Sequence, residues 1–327
     1  MRRWTLRIAS IAGAAAAVLM PVGANAQDYP TKIIRMVVPG LPAGSADILA
    51  RMIGAKLHER FGQPVVTENR SGAGQMIAAD YLAKSPPDGH ALMLGTITYT
   101  TSVATRASLP FDPLNDVTGV TMIGQGPLLL LVHPSLPVNS VKELVALAKA
   151  RPGAINYASS GTGTINHLVA EGFASRARIN IVHVPYKSVA PAVTDVVGGH
   201  VPIIFASLPA AWHHVKSNRL RALAVTTAKR SQFVPDMPTV REGGISGFEA
   251  STWWGVFAQG RTPKEIVGRI NAEIQKIIDA DDIKVRLTAE GAQPVLGMTP
   301  DAFNTLIRNE ISMWRAIAKE RKIQGET

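Results

Sequence analysis

The sequence predicts an α/β fold in two lobes, on two observations. Short apolar runs alternate with amphipathic stretches along most of the chain, which is typical of parallel strands covered by helices on both faces. This alternation stops and restarts after Asn115, and the 301 residues that follow a 26-residue leader (327 less 26) exceed what one core usually supports. We therefore expect two lobes, each a mainly parallel sheet flanked by helices, joined by a double crossover hinge.

The first unit of this pattern begins with a β-branched run and continues with apolar residues at helical spacing. A Pro/Gly turn at residues 86–89 separates its second helix from its third strand. The predicted strands are Ile33 to Val38, Pro64 to Glu68 and Ala91 to Gly95, and the predicted helices are Asp47 to Phe61 and Met76 to Ala83.

The second unit covers roughly residues 126–251 and contains three helices among five strands. Ser140 and Glu143 have the spacing of a capping box at the start of a helix that runs to Ala150. The other helices are predicted at Thr164 to Ala177 and Ala190 to Val197. The strands are predicted at Leu128 to Val132, Ile155 to Ala158, Ile181 to Val184, Ile203 to Ala206 and Ala222 to Val225.

The last part of the chain predicts three helices and few strands. Thr262 and Glu265 have capping-box spacing with Pro263 at the first helical position, and this helix extends to Asp279. Helices from Asp281 to Glu290 and from Pro300 to Arg321 follow it. Because three helices cannot cover a sheet of their own, we expect them to pack on the first lobe. Lobe 1 is then residues 27–125 plus 252–327 and lobe 2 is residues 126–251, with crossings near Gly126 and Ser251.

The first 26 residues have the pattern of a secretory signal peptide. A positively charged start precedes the apolar run from Ile8 to Met20, and Ala24-Asn25-Ala26 matches the small-x-small cleavage site. The apolar run is shorter than the roughly 20 residues of a membrane span. We expect cleavage near Ala26 and a soluble protein in the periplasm, exported by either the general secretory or the twin-arginine route.

Composition excludes several classes of site. The chain has no cysteine, so it has no disulfide, thiolate zinc site or thiol nucleophile. Its net charge of +10 comes from scattered basic residues, whereas a nucleic-acid groove needs a clustered basic stripe. No nucleotide-binding glycine loop, serine-hydrolase elbow or zinc-protease helix motif occurs. We therefore expect a protein that is not an enzyme and has no cofactor, no metal and no nucleic-acid partner.

Two strand-loop-helix junctions share the one polar pattern that recurs along the sequence. The segments Val37 to Asp47 and Tyr157 to His167 both place glycine and hydroxyl residues between a strand and a helix. Free backbone N–H groups at such a helix start, together with the positive end of the helix dipole, bind anions. One junction in each lobe predicts that the two face each other across a cleft and hold one carboxylate.

Over these residues the sequence resembles the Bug family of periplasmic solute-binding receptors, which are associated with tripartite tricarboxylate transporters. The similarity extends from about Tyr29 to Ile323. The matching segments include Asp47-Ile48-Leu49-Ala50-Arg51, Gly72-Ala73-Gly74, Pro87-Asp88-Gly89, Tyr157-Ala158-Ser159-Ser160-Gly161-Thr162-Gly163, His183-Val184-Pro185-Tyr186-Lys187 and Gly247-Phe248-Glu249.

The resemblance implies a periplasmic-binding-protein-like clamp that holds a carboxylate through backbone amides, hydroxyls and water, without an arginine clamp. It also implies delivery of the ligand to the membrane permease of a tripartite tricarboxylate-type transporter. We expect the protein to be a monomer, although the sequence does not show its oligomeric state. The ligand-binding residues that it implies are Ala43, Gly44, Ser45, Asp47 and Thr96 in the first lobe and Ser160, Gly161, Thr162, Gly163, Thr164 and Tyr186 in the second.

Five positions depart from the family pattern. Gly40 stands where the first loop usually has an aromatic residue. Ala43 replaces the first glycine of the usual Gly-Gly pair, and Gln75 and Ser188 each stand where the family usually has glycine. Ala206 occupies a position where relatives often have aspartate, so the resemblance implies altered recognition of the distal end of the ligand there. A missing acid suits a more apolar or a more anionic tail.

Two other functions are compatible with the same sequence. The clamp could present its ligand to a membrane signalling protein instead of a permease. A periplasmic hydrolase or metalloenzyme could use His167 and Glu171, which are four residues apart on a predicted helix, although a structural role for this pair is the simpler interpretation. The sequence does not identify the ligand, since dicarboxylates, aromatic acids, amino acids and nicotinate-like molecules all present a carboxylate.

Overall fold

The computed structural model describes residues 29–289 and 291–325, so the predicted signal peptide lies outside the described residues. Ten strands and ten α-helices alternate along this part of the chain. The strands are β1 (Ile34–Val38), β2 (Val65–Asn69), β3 (Ala91–Thr96), β4 (Val117–Val132), β5 (Asn156–Ser159), β6 (Val182–Pro185), β7 (Ile203–Ser207), β8 (Arg221–Val225), β9 (Ser251–Gln259) and β10 (Gln293–Pro294). The helices are α1 (Ser45–Phe61), α2 (Met76–Ala83), α3 (Thr98–Thr105), α4 (Val141–Ala150), α5 (Ile165–Ala177), α6 (Val189–Val197), α7 (Leu208–Lys216), α8 (Lys264–Asp279), α9 (Asp281–Ala289) and α10 (Pro300–Arg321).

The strands form two sheets that share β4, and the predicted α/β fold is confirmed. The order along both is β2-β1-β3-β9-β4-β7-β5-β6, with β8 and β10 also paired to β4. In the first sheet β1 pairs in parallel with β2 and β3, and β9 is antiparallel to its neighbours. In the second sheet β5 pairs in parallel with β6 and β7. Because β1 is parallel to β3, and β5 is parallel to β6 and β7, the carboxyl ends of these strands lie at one edge of each sheet. The loops that follow the strands can meet there.

The 16-residue strand β4 joins the sheets without a break. Its first part, up to Pro127, pairs with β9, whereas Leu128 to Val132 pairs with β7 and β8. At the junction Gly126 lies opposite Thr252 and Pro127 lies opposite Ser251, so two hydrogen-bonded strands lie side by side where the chain changes sheet.

Three apolar clusters fill the space between sheets and helices. One lies between the first sheet and α1, α8 and α9, a second between the second sheet and α6 and α7, and the third continues along the opposite face of both sheets. The helix α8 contacts α1 and β4, and α10 packs on α3 and β4. Within the described residues no helix is both long enough and apolar enough to cross a membrane.

The structure corrects one helix start and adds elements that the pattern did not predict. Ser140 caps α4 as predicted, because its hydroxyl accepts from the Glu143 N–H at 3.2 Å. The capping box at Thr262 does not form: Pro263 is the residue before α8, and the Thr262 hydroxyl has no hydrogen-bond partner within the part of the chain that the structure describes. The added elements are α3, α7, β9, β10 and the first part of β4.

Candidate functional site

A cavity lies at the carboxyl ends of the strands, between the two sheets. Its empty volume is about 780 Å³, which includes the open solvent at its mouth. The first sheet and its loops contribute Pro39, Gly40, Leu41, Gly44, Ser45, Ala46, Asp47, Gly72, Gly74, Gln75, Thr96, Thr98, Thr252 and Trp254. The second contributes Leu128, Ser160, Thr164, Ile165, Asn166, Lys187, Ser188, Val189, Ala190 and Ser207.

The loop between β1 and α1 is fixed by the carboxylate of Asp47, which is only 4% exposed. This carboxylate accepts from the Ala43 N–H at 3.1 Å, from Arg51 at 2.9 and 3.0 Å and from Asn69 Nδ2 at 3.0 Å. Burial alone would raise the pKa of Asp47, but the hydrogen bonds from Arg51, Asn69 and Ala43 hold it below its ordinary value. Asp47 therefore accepts from the chain's own donors and sets the loop's shape.

The two adjacent tryptophans have different surroundings. Trp254 is fully buried, lines the cavity and donates from Nε1 to Ser45 Oγ at 3.2 Å. Trp253 packs edge-on against Phe303 and donates to the Glu310 carboxylate at 3.0 and 3.2 Å. Trp254 thus orients the hydroxyl at the start of α1, whereas Trp253 belongs to the core.

The end of β3 is joined to the turn before α2 through a reciprocal pair of hydrogen bonds. Gln75 donates from Nε2 to Thr96 Oγ1, and its Oε1 accepts from the Thr96 N–H at 3.2 Å. Gln75 has φ +76°, a left-handed conformation that glycine adopts more readily. The side chain at this position therefore offsets backbone strain with two hydrogen bonds to a residue of the cavity wall.

The loop between β5 and α5 is held by neutral groups. Ser159 Oγ accepts from the Gly161 N–H at 3.0 Å and lies 2.6 Å from His183 Nε2. The Gly163 N–H donates to His167 Nδ1 at 3.0 Å. Gly161 and Gly163 have φ +118° and +79°, so the turn requires glycine at both positions.

The two histidines under this loop stack on each other. The His167 and His183 rings lie 4.0 Å apart with planes 11° from parallel. Burial lowers the pKa of His167 to about 4. Burial, assisted by His167, lowers the pKa of His183 to about 4 as well. Both imidazoles are thus neutral at ordinary pH.

The side chains predicted as a possible metal pair have separate partners. Glu171 accepts from the Tyr157 hydroxyl at 2.6 Å, and His167 accepts from the loop backbone. Within residues 29–289 and 291–325 there is no group of three or more metal-ligating side chains. His167 and Glu171 consequently support the walls of the β5–α5 region.

Six predicted site residues line the cavity and six do not. Those in the lining are Gly44, Ser45, Asp47, Thr96, Ser160 and Thr164. Those outside the lining are Ala43, Gly161, Thr162, Gly163, Tyr186 and Ala206. Tyr186 donates its hydroxyl to Asp195 at 2.6 Å, and Ala206 is buried in the apolar cluster behind β7.

The lining also includes polar residues that the motifs did not indicate. Ser188, at the start of α6, stands where the resemblance implies a glycine, so the sequence had indicated it only as a departure from the family pattern. Asn166 donates to the Phe205 carbonyl and accepts from Ser160 Oγ at 2.7 Å, and neither contact has a local sequence signal. Ser207, before α7, and Lys187 are brought to the cavity by the sheet order.

Four helices begin at the cavity wall. The residues before α1, α5, α6 and α7 are Gly44, Thr164, Ser188 and Ser207, all of which line the cavity and none of which makes a side-chain cap to its helix. The first N–H groups of an α-helix have no acceptor within the helix. The wall is therefore rich in backbone donors and in the positive ends of helix dipoles, which favour an anion.

Sequence comparisons place the chain among receptor proteins. Residues 49–323 match the model of the tripartite tricarboxylate transporter family receptor, TctC. The protein BugT of Bordetella pertussis is 37% identical over 317 residues, which is 96% of each chain.

Solved structures agree in fold. An R. palustris protein with adipate has 38% identity and a TM-score of 0.87 over 91% of this chain and 99% of that one. MatC from Rhodopseudomonas palustris with bound malate has 30% identity and a TM-score of 0.84 over 88% of this chain and 99% of that one. The periplasmic binding protein BugD has a TM-score of 0.86 at 27% identity over 91% of this chain and all of that one. The chain therefore belongs to the TctC (Bug) family of solute-binding receptors, which are binding proteins and not enzymes.

Proposed function

We propose that this protein captures a small carboxylate between its two sheets in the periplasm. The observation that carries the proposal is that α1, α5, α6 and α7 all begin at one cavity. Backbone N–H groups and dipoles aimed at one point stabilise a carboxylate, and they do so more strongly where water is excluded. Relatives of similar fold were solved with adipate and with malate, which are both carboxylates.

The capture step in this proposal is closure of two lobes. Residues 27–125 plus 252–327 form one lobe and residues 126–251 form the other, with the hinge at the paired crossings of β4 and β9. The contacts of α8 and α10 with α1, α3 and β4 support placing the C-terminal helices in the first lobe. A ligand that touches both lobes stabilises the closed state by its differential affinity.

The proposed site combines the two predicted junctions with the residues that the fold adds. Gly44, Ser45 and Thr96 act from the first sheet, and Ser160 and Thr164 act from the second. Ala43, Gly161, Thr162 and Gly163 act through loop geometry. In this proposal the protein is exported, its leader is cleaved near Ala26, and it acts as a monomer. It delivers the ligand to a permease of the tripartite tricarboxylate type.

A thermal-shift screen tests the carboxylate. The protein from Gln27 onward is unfolded and refolded to remove bound ligand, then mixed with di- and tricarboxylates, aromatic acids and amino acids. A ligand at 100 times its Kd stabilises the fold by about 2.7 kcal/mol, which shifts Tm by several degrees. We expect a shift with one class of acid and none with the matching amides. Equal shifts with acid and amide would contradict a carboxylate site.

The partner is tested separately. Membranes of the source cell are solubilised with the liganded protein, and co-purifying membrane proteins are identified. Recovery of a multi-span permease supports transport, whereas recovery of a membrane kinase supports the signalling role instead.

A further inference from the structure

The loop between β6 and α6 adds a third set of donors to the cavity. Lys187, Ser188, Val189 and Ala190 are consecutive in the chain and all line it. The side chain of Lys187 is exposed, whereas Ser188 is only 8% exposed. This loop lies in the second sheet next to β5, because the Tyr186 N–H donates to the Ser159 carbonyl at 3.0 Å.

Ser188 is a buried hydroxyl without a partner. It precedes α6 in an extended conformation, with φ −164° and ψ 174°, but makes no cap to the helix. Its Oγ is buried and has no hydrogen-bond partner among the described residues. A buried hydroxyl left unpaired costs free energy, so its persistence at a cavity wall points to a ligand group.

The start of α6 presents hydrogen-bond donors to the cavity. The N–H groups of Val189 and Ala190 have no acceptor within the helix, and Pro191 has no N–H. The ammonium of Lys187 lies on the same loop. Of the described residues that line the cavity, only Asp47 carries a carboxylate, and its oxygens accept from the chain itself. Donors without a competing acid suit a second anionic group.

We propose that Ser188 is a specificity-determining residue that binds the second carboxylate of a diacid. This inference rests on the proposed function, in which the loops before α1 and α5 hold the first carboxylate. A monoacid would leave the Ser188 hydroxyl and the first N–H groups of α6 unpaired in the closed cavity, and a site with unpaired polar groups rejects such an analogue.

Isothermal titration of wild type and Ser188→Ala with matched acids tests the inference. The pairs are adipate with hexanoate and succinate with butyrate. We expect wild type to bind at least one diacid tenfold or more tightly than its monoacid. Ser188→Ala should weaken diacid binding about tenfold or more, as for a hydrogen bond to a charged group, and leave monoacid binding unchanged.

The outcomes separate this inference from the proposed function. If diacid and monoacid bind wild type equally, or if Ser188→Ala weakens both equally, the Ser188 assignment is overturned while carboxylate binding stands. If neither type of acid binds wild type, both proposals are overturned.

Ser140→Ala is the matched control, because Ser140 also precedes a helix but accepts from the Glu143 N–H and does not line the cavity. It should lower the Tm of the ligand-free protein and leave both affinities unchanged. Ser188→Ala should leave the Tm of the ligand-free protein unchanged and weaken the binding of the diacid but not of the monoacid. A ligand-free Tm that falls as much in Ser188→Ala as in Ser140→Ala would make Ser188 a structural residue and overturn the inference.

Discussion

The loops before α1 and α5 present the same kind of surface to the cavity but are held by different chemistry. The β1–α1 loop is fixed by an ionised carboxylate, Asp47, that collects donors from Arg51, Asn69 and the backbone. The β5–α5 loop is fixed by neutral groups, with His167 and His183 as hydrogen-bond partners of its backbone and of Ser159. Similar donor geometry therefore does not require similar support, and the two supports respond to different perturbations.

Removal of the charged support should have the largest effect. Asp47→Ala leaves the Ala43 N–H without its acceptor and removes one of the two acceptors of Asn69 Nδ2, the other being the Gly40 carbonyl, so the loop is released. Because hydrogen bonds to a charged group are the strong ones, we expect the free energy of unfolding to fall by roughly 3 kcal/mol and ligand affinity to fall at least about tenfold. Urea denaturation and titration calorimetry measure the two effects.

Asp301→Ala is the control for that variant, because Asp301 is an exposed acid in the first turn of α10. It removes only the favourable interaction with the helix dipole, worth about 0.3–1 kcal/mol, and should leave affinity unchanged. Unaltered affinity in Asp47→Ala would show that the loop keeps its shape without the carboxylate.

A fall in pH should reduce the stability that His167 and His183 give to the β5–α5 loop. The pKa values of His167 and His183 are about 4 in the folded protein, below the ordinary value of 6.5. Between pH 6.5 and 4 the unfolded chain therefore binds more protons, so the stability that these rings contribute is lost as pH falls through this window. The steepest dependence is up to about 1.4 kcal/mol per pH unit for each ring.

Urea denaturation at pH 7, 6 and 5 measures this slope, and His183→Gln should reduce it. His58→Gln, at an exposed histidine of α1, should keep the slope of wild type. A His183→Gln protein with an unchanged slope would mean that other groups produce the pH dependence.

Relief of backbone strain in the charged loop should have the smallest effect. Ala43 is exposed and has φ +64°, where the family usually has glycine. Ala43→Gly should raise the free energy of unfolding by up to about 1 kcal/mol, since relief of the left-handed strain exceeds the added freedom of the unfolded chain. Ala46→Gly, inside α1, should lower it by a similar amount. Equal losses in the two variants would contradict strain at Ala43.

Local patterns were sufficient to predict the parallel halves of the fold and the positions of the two glycine-hydroxyl junctions, each of which contributes residues to the cavity lining. The helix start at Ser140 and the glycine-hydroxyl loops are encoded within a few neighbouring residues. The strand β9 was missed because Thr252 to Gln259 are all buried, so the residues do not alternate between polar and apolar. The helix α3 was missed because its sequence, Thr98 to Thr105, is rich in β-branched residues and is stabilised by burial.

The rest of the site could not be predicted because it depends on which strands become neighbours. Ser207 and Ser188 reach the cavity only because β7 and β6 flank β5. Gln75 and Ser188 could be identified as departures from the family pattern, but nothing in the sequence showed that the Gln75 amide is paired while the Ser188 hydroxyl has no partner among the described residues. Those distinctions arise from packing at long range.

The shared strand β4 limits how the molecule can move. Since the chain changes sheet through two strands bonded to each other at Gly126–Thr252 and Pro127–Ser251, the sheets are connected by a short ribbon and not by two independent threads. Two paired strands twist and bend together, so this connection has fewer degrees of freedom than two separate crossings would have. A β-carbon added at Gly126 would lie 2.4 Å from the Gly291 carbonyl oxygen, so the ribbon is also braced at its midpoint. Any change in the angle between the two sheets would have to be taken up at this ribbon of four residues, Gly126, Pro127, Ser251 and Thr252.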